Sequence, residues 1–269
     1  MNLSAPATLS EQGIAEAAAI LWSAWRDLGR IDQLPLPCRP ANRADGYAIQ
    51  AAVARLAGQG AKGWKIAATS LAGQKHIGVD GPLAGRLLAN RCLEPGASVS
   101  LEGNLMRVAE AEFAFRIGRD LPRRDDPYEV AEVMAAVAAL HPAIEVPDSR
   151  FAKFAQVGAP QLIADHACAS WFLLGSEAPE EWRKADLVRH PVAAWHDEVL
   201  AGQGTGASVL GDPRIALTWI ANELRVFAKG LSSGDIVTTG TCVVPVSISP
   251  GERVRVDFGR LGGLEAAFC

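Results

Sequence analysis

An α+β fold built on a mixed, curled sheet is what this sequence predicts, on three observations. Strand-like runs dominate from residue 63 onward, glycine and proline turns divide most of them, and two amphipathic helical patterns precede the first clear strand. A doubly wound parallel sheet needs regular alternation of helix and strand, which this order does not supply.

The first helix is predicted between Ser10 and Gly29, where Ile14, Ala18, Leu21, Trp25 and Leu28 recur at steps of three and four. Ser10 is its candidate cap and Gly29 its stop. Past a proline-rich connector, Pro35 to Pro40, a second helix starts near Asn42 and carries Ile49, Val53 and Leu56 before Gly58 and Gly60 end it. Strands then fit Trp64 to Ala67, Leu83 to Leu88, Ser98 to Glu102 and Val108 to Ile117. Asp126 and Pro127 open a helix with a stripe of Val130, Val133, Val137 and Leu140, and Pro142 begins a strand through Glu145. Further strands fit Gln161 to Ala164, Cys168 to Leu174 and Val192 to Leu200, whereas Gly202 to Gly206 reads as a loop without the lysine of a phosphate-binding loop. Asp212 and Pro213 start the last helix, through Trp219, Ile220, Leu224 and Phe227. Four strand-like runs follow, Asp235 to Thr239, Val243 to Ile248, Arg253 to Phe258 and Leu264 to Phe268.

At 269 residues the chain can bury a large core, and with 49% hydrophobic and 21% charged residues only the extreme N-terminus is expected to be disordered. The net charge of -4, with basic residues scattered, speaks against a nucleic-acid or anionic-membrane partner. No apolar stretch approaches the roughly 20 residues that span a bilayer, and no basic-then-apolar leader opens the chain, so a cytoplasmic protein is expected. Cys38, Cys92, Cys168, Cys242 and Cys269 are odd in number and widely spaced, and are expected to be reduced bystanders.

The stretch from Ala109 to Ile117 alternates strictly. Ala109, Ala111, Phe113, Phe115 and Ile117 share the core face, and Glu110, Glu112, Ala114 and Arg116 the other. The two carboxylates therefore point the same way with Cα atoms roughly 7 Å apart, two strand rises. Such a face is either a hydrated sheet surface or a cation site, because two carboxylates held ionised together need nearby positive charge. Glu145 favours the second reading: it is a lone acid in the apolar segment Ala143-Ile144-Glu145-Val146-Pro147. Three oxygen donors without a nearby His or Cys suit a hard cation such as Mg²⁺ or Mn²⁺.

Several segments then carry a resemblance: Gly63-Trp64-Lys65-Ile66, Gly78-Val79-Asp80, the Glu110-Ala111-Glu112 strand, Ile144 to Arg150, Val209 to Pro213, and Gly234 to Thr241. Together, and in this order, they resemble the 2-keto-4-pentenoate hydratase and 4-oxalocrotonate decarboxylase branch of the fumarylacetoacetate hydrolase superfamily, from about residue 40 to the end. The resemblance implies a small N-terminal helical portion, residues 1–62, and a fumarylacetoacetase-type mixed β-roll, residues 63–269. It places Glu110, Glu112 and Glu145 on metal-ligand positions, Lys65 on the active-site lysine, Asp80 on a nearby catalytic acid and Thr241 on a substrate-facing turn. A glutamate as third ligand, where the carbon–carbon hydrolases usually place an aspartate, points away from simple hydrolase activity. Where many hydratases read Asp-Asn-Ala-Ser this chain has Asp165-His166-Ala167-Cys168, which marks His166 as a substrate-binding candidate.

The activity implied is hydration of a 2-hydroxypenta-2,4-dienoate in aromatic catabolism. Decarboxylation of a 4-oxalocrotonate-type diacid is the alternative, and a non-catalytic partner subunit a third. The expected partner is a small 2-oxo or 2-hydroxydienoate acid, and the resemblance implies a homo-oligomer. Burial beside a cation is expected to lower the Lys65 pKa towards neutrality.

Overall fold

A computed structural model describes residues 8–58 and 60–269; the disorder expected at the extreme N-terminus falls outside them. Helices Glu11–Arg26 and Arg43–Ala57 come first, as the periodicity predicts. Ser10 Oγ accepts from the Gly13 amide, and the second helix starts on the Asn42 side chain and ends on Gly58 in the left-handed region. Their buried faces, Leu21, Trp25, Ile49 and Val53 among them, join one hydrophobic cluster that runs on to Phe268.

The larger sheet is mixed, in the order Leu83–Leu88, Ala61–Ala67, Ile236–Thr241, Val108–Ile117, Val137–Val146, Trp171–Leu174 and Cys92–Leu93, with Val246–Ser247 paired to the start of Val108–Ile117. Ala61–Ala67 runs parallel to Ile236–Thr241 and antiparallel to Leu83–Leu88. A smaller five-stranded sheet, Val199–Thr205, Pro191–His196, Arg253–Asp257, Gly263–Phe268 and Ser98–Val99, packs on its core face. Phe113 meets Phe258 edge-on there, with ring centroids 4.9 Å apart. The α+β expectation holds, and the sheet begins at Ala61, two residues before the expected boundary.

Four expectations need correction. The helix expected through Leu140 is only Val130–Ala135, closed by a Glu129–Glu132 capping box, and Val137–Val146 is a ten-residue strand. Pairing with Val108–Ile117 overrides the local helical stripe, and Pro142, a helix breaker, sits inside that strand opposite Phe113. Residues expected as a strand from Gln161 form the helix Ala159–Ala164 instead, started by Pro160 in its first turn. Cys168 lies outside the next strand, Trp171–Leu174. Gly202 to Thr205 is ordered hairpin, paired with Ala194 to Pro191, and not a loop. A short helix, Leu71–Ile77, with Ser70 as its cap and Gly78 as its stop, has too few residues to register as a pattern in sequence. All five cysteines are free; Cys38, Cys168 and Cys242 are buried, and Cys269 is exposed.

Candidate metal centre

Alternation along Val108–Ile117 puts Glu110 and Glu112 on the same face, and the antiparallel neighbour sets Glu145 directly opposite Glu110. Pairing thus brings together three acids separated by up to 35 positions in the chain. One oxygen from each lies within 4.8 Å of the other two. Glu112 and Glu145 are fully buried and Glu110 is half-buried.

Glu112 is held from behind. The Thr238 hydroxyl and the Gly240 amide, the latter at 3.0 Å, both donate to Glu112 Oε2. Gly240 takes a φ of +103°, and a Cβ there would lie 2.1 Å from Thr69 Oγ1, so only glycine can present its amide in this way. Lys65, from the strand on the far side of Ile236–Thr241, is buried with Nζ 3.1 Å from Glu145 Oε1. That ion pair lacks hydrogen-bond alignment, and Glu112 Oε1 and both Glu145 oxygens are left without a donor. Lys65 Nζ does donate to the Ala167 carbonyl, at 3.1 Å.

Electrostatics mark the cluster as incomplete. Burial raises the pKa of all three glutamates, that of Glu145 to about 7, with Lys65 opposing and Glu110 adding to the rise. Glu112 is pushed furthest from the usual carboxylate range, by burial and then by its two acidic neighbours. For Lys65, burial acts downward, but Glu145, Glu110 and Glu112 outweigh it and hold the ammonium above its usual value. The expected shift of Lys65 towards neutrality presupposes a cation beside it; facing the three anions alone, the shift runs upward. Three acids, two of them fully buried, against one base, with orphaned oxygens converging, fit a small hard cation that replaces protons.

The other sequence candidates are placed as follows. Thr241 pairs in register with Glu112, but its hydroxyl is engaged by the Val243 carbonyl at 2.6 Å. Asp80 is exposed in the turn after Leu71–Ile77 and, among the described residues, makes no ion pair. From that same short helix, His76 lies near enough to Glu110 to favour its ionised form.

His166 is fully buried. Its Nδ1 is 3.2 Å from the Arg86 carbonyl and its ring stands edge-on to Trp25, with centroids 5.2 Å apart. Its link to the cluster runs through the carbonyl of the next residue, Ala167. Thr238, the Gly240 amide and that carbonyl went unnoticed in sequence. The first two lie within Gly234 to Thr241, where the alternation of Ile236, Thr238 and Gly240 carried the signal.

Residues 88–268 match the fumarylacetoacetate (FAA) hydrolase C-terminal family. The chain belongs to that family. Within it, 2-keto-4-pentenoate hydratase 1 of Dechloromonas aromatica is 31% identical over 256 residues, covering 94% of this chain and 96% of the relative. A 4-oxalocrotonate decarboxylase of a Pseudomonas species is 30% identical over 204 residues, 75% of this chain and 76% of that one. Among solved structures of the fumarylacetoacetate hydrolase fold, the 4-oxalocrotonate decarboxylase of Pseudomonas putida G7, complexed with magnesium and adipate, superposes with a TM-score of 0.88 at 25% identity. That match covers 98% of this chain and all of the other. The chain thus falls in the hydratase and decarboxylase branch of the superfamily. No helix among the described residues is long and apolar enough to cross a membrane.

Proposed function

We propose that this protein is a divalent-metal-dependent hydratase that adds water to 2-hydroxypenta-2,4-dienoate or a close analogue, giving a 4-hydroxy-2-oxo acid in aromatic catabolism. The observation that carries the reading is the convergence of Glu110, Glu112 and Glu145 with three buried oxygens lacking donors. These residues would hold Mg²⁺ or Mn²⁺, which supplies Lewis acidity towards a chelating 2-oxo carboxylate. The magnesium in the related decarboxylase supports the choice of a hard ion.

This chain's own groups do the rest. Thr238 and the Gly240 amide fix Glu112 through Oε2 and leave Oε1 without a donor. Lys65, kept as an ammonium by its acidic neighbours, holds a proton at Nζ within the pocket and can place positive charge beside an incoming acid. Burial excludes bulk water around Glu112 and Glu145. Asp80 as a catalytic acid, and Thr241 and His166 as substrate contacts, remain proposals from resemblance. The helical portion 1–62 as a separate unit and self-association rest on the same ground, and a cytoplasmic location is a proposal from the sequence itself.

Loss of dienol absorbance with and without Mg²⁺ tests the activity. Metal-dependent turnover is expected, and none across a panel of 2-hydroxydienoates removes the hydratase claim. The second reading, decarboxylation, is favoured by the close superposition on the Pseudomonas putida enzyme. Carbon dioxide release from a 4-oxalocrotonate-type diacid would establish it in place of hydration.

A further inference from the structure

Behind Lys65 the chain does something rare. His166, Ala167 and Cys168 take φ of 54°, 49° and 64°, three successive non-glycine residues in the left-handed region. L-residues visit that region singly at a cost, and runs of them persist only where the surroundings over-determine them. Here the surroundings are identifiable. The turn is closed by the Cys168 amide on the Asp165 carbonyl and the Ala169 amide on the His166 carbonyl, at 3.1 and 3.0 Å. Arg150 straddles it, donating to the Asp165 carboxylate, to the Asp165 carbonyl at 2.7 Å and to the Ala169 carbonyl at 2.9 Å. Trp25, from the first helix, lies under the Arg150 guanidinium at 3.8 Å and against the His166 ring.

The turn also rests on a missing side chain. Gly85 is the register partner of Lys65, and a Cβ built on it would lie 1.8 Å from the His166 carbonyl oxygen. Only a bare backbone lets the turn sit that close to the sheet. In this conformation the Ala167 carbonyl meets Lys65 Nζ at 3.1 Å, and the Cys168 carbonyl accepts from the Asp148 amide at 2.9 Å.

We propose that the left-handed turn His166–Cys168, seated on Gly85 and clamped by Arg150 and Trp25, is a positioning device that aims the Lys65 ammonium at the carboxylate cluster. It acts through main-chain atoms. The His166 side chain contributes to it by tolerating the left-handed conformation and packing on Trp25. This deepens the hydratase reading and rests on it only for the kinetic part of its test.

The test follows the Lys65 ammonium directly, by nitrogen-15 NMR of lysine-labelled protein, with the resonance assigned by its loss in Lys65→Ala. Gly85→Ala is expected to displace or broaden that resonance and to lower kcat at least about tenfold, while Mg²⁺ affinity stays within about threefold. An unchanged resonance in folded Gly85→Ala overturns the proposal. Should that variant fail to fold, position 166 carries the test. Asparagine, which accepts the left-handed region, is expected to keep the resonance, and valine, which resists it, to lose it. Equal behaviour of His166→Asn and His166→Val overturns the proposal. Absence of turnover in the wild type, with the NMR pattern as expected, sinks the hydratase reading and leaves the positioning role standing.

Discussion

Two clusters of buried charge lie side by side in this molecule, and they are built on opposite principles. Around Arg150 the acids are matched: Asp165 pairs with Arg150 and also takes the Ser149 hydroxyl at 2.7 Å, and Asp148 pairs with Arg30. Around Glu145 they are not, with three acids facing one lysine and three carboxylate oxygens lacking donors. A satisfied buried network holds a shape; an unsatisfied one is a binding site whose missing partner comes from outside. Single substitutions in the two clusters should therefore have opposite signatures.

The largest effect is expected at Glu145. Glu145→Gln should lower turnover on the order of a thousandfold and abolish Mg²⁺ binding, yet leave the metal-free protein at least as resistant to heat, because one of three crowded acids has been neutralised. Steady-state kinetics and thermal melting with a chelator check both halves. In the matched cluster, Asp165→Asn should do the reverse. Leaving Arg150 buried without its carboxylate should cost about 3–5 kcal/mol of stability in denaturant titrations, with Mg²⁺ affinity in the surviving folded protein changed little.

Acidity sharpens the contrast. A carboxyl group raised by folding stabilises the protein below the usual carboxylate range and loses that contribution as pH rises through its folded value, about 7 for Glu145. Metal-free protein should accordingly melt lower at pH 8 than at pH 6, and Mg²⁺ should reverse the loss. His166 works the other way. Burial, and then Arg150, depress it to about 3, so its neutral form stabilises above the ordinary histidine range and that contribution fades as pH falls towards 3. The smallest effect is expected of His166→Asn. It should cost less than about 1 kcal/mol near pH 7 and melt less steeply than wild type between pH 6 and pH 4. A variant as acid-sensitive as the parent would contradict that account of His166.

The same division separates what the sequence reveals from what it hides. Glu110 and Glu112 were legible because strand alternation is local, and Glu145 because a lone acid in an apolar run announces a partner. Both helices at the start were legible from caps and stops that use adjacent residues, Ser10 with Gly13 and Asn42 with Asp45. What escaped was main-chain and long-range. Nothing in Asp165-His166-Ala167-Cys168 reveals three left-handed residues, since that conformation is imposed by Arg150, Trp25 and Gly85. Val137 and Leu140 kept the helical stripe going on paper, whereas pairing with Val108–Ile117 decided their conformation. The packing of His166 against Trp25 is hidden in the sequence for the same reason.

Titrating Mg²⁺ calorimetrically into chelator-treated protein tests the central claim most directly. One saturable ion per chain is expected, bound more tightly as pH rises and lost in Glu112→Gln and Glu145→Gln alike. Absence of saturable binding in the folded wild type, or binding that survives both substitutions, would contradict the claim that these three glutamates meet around one cation.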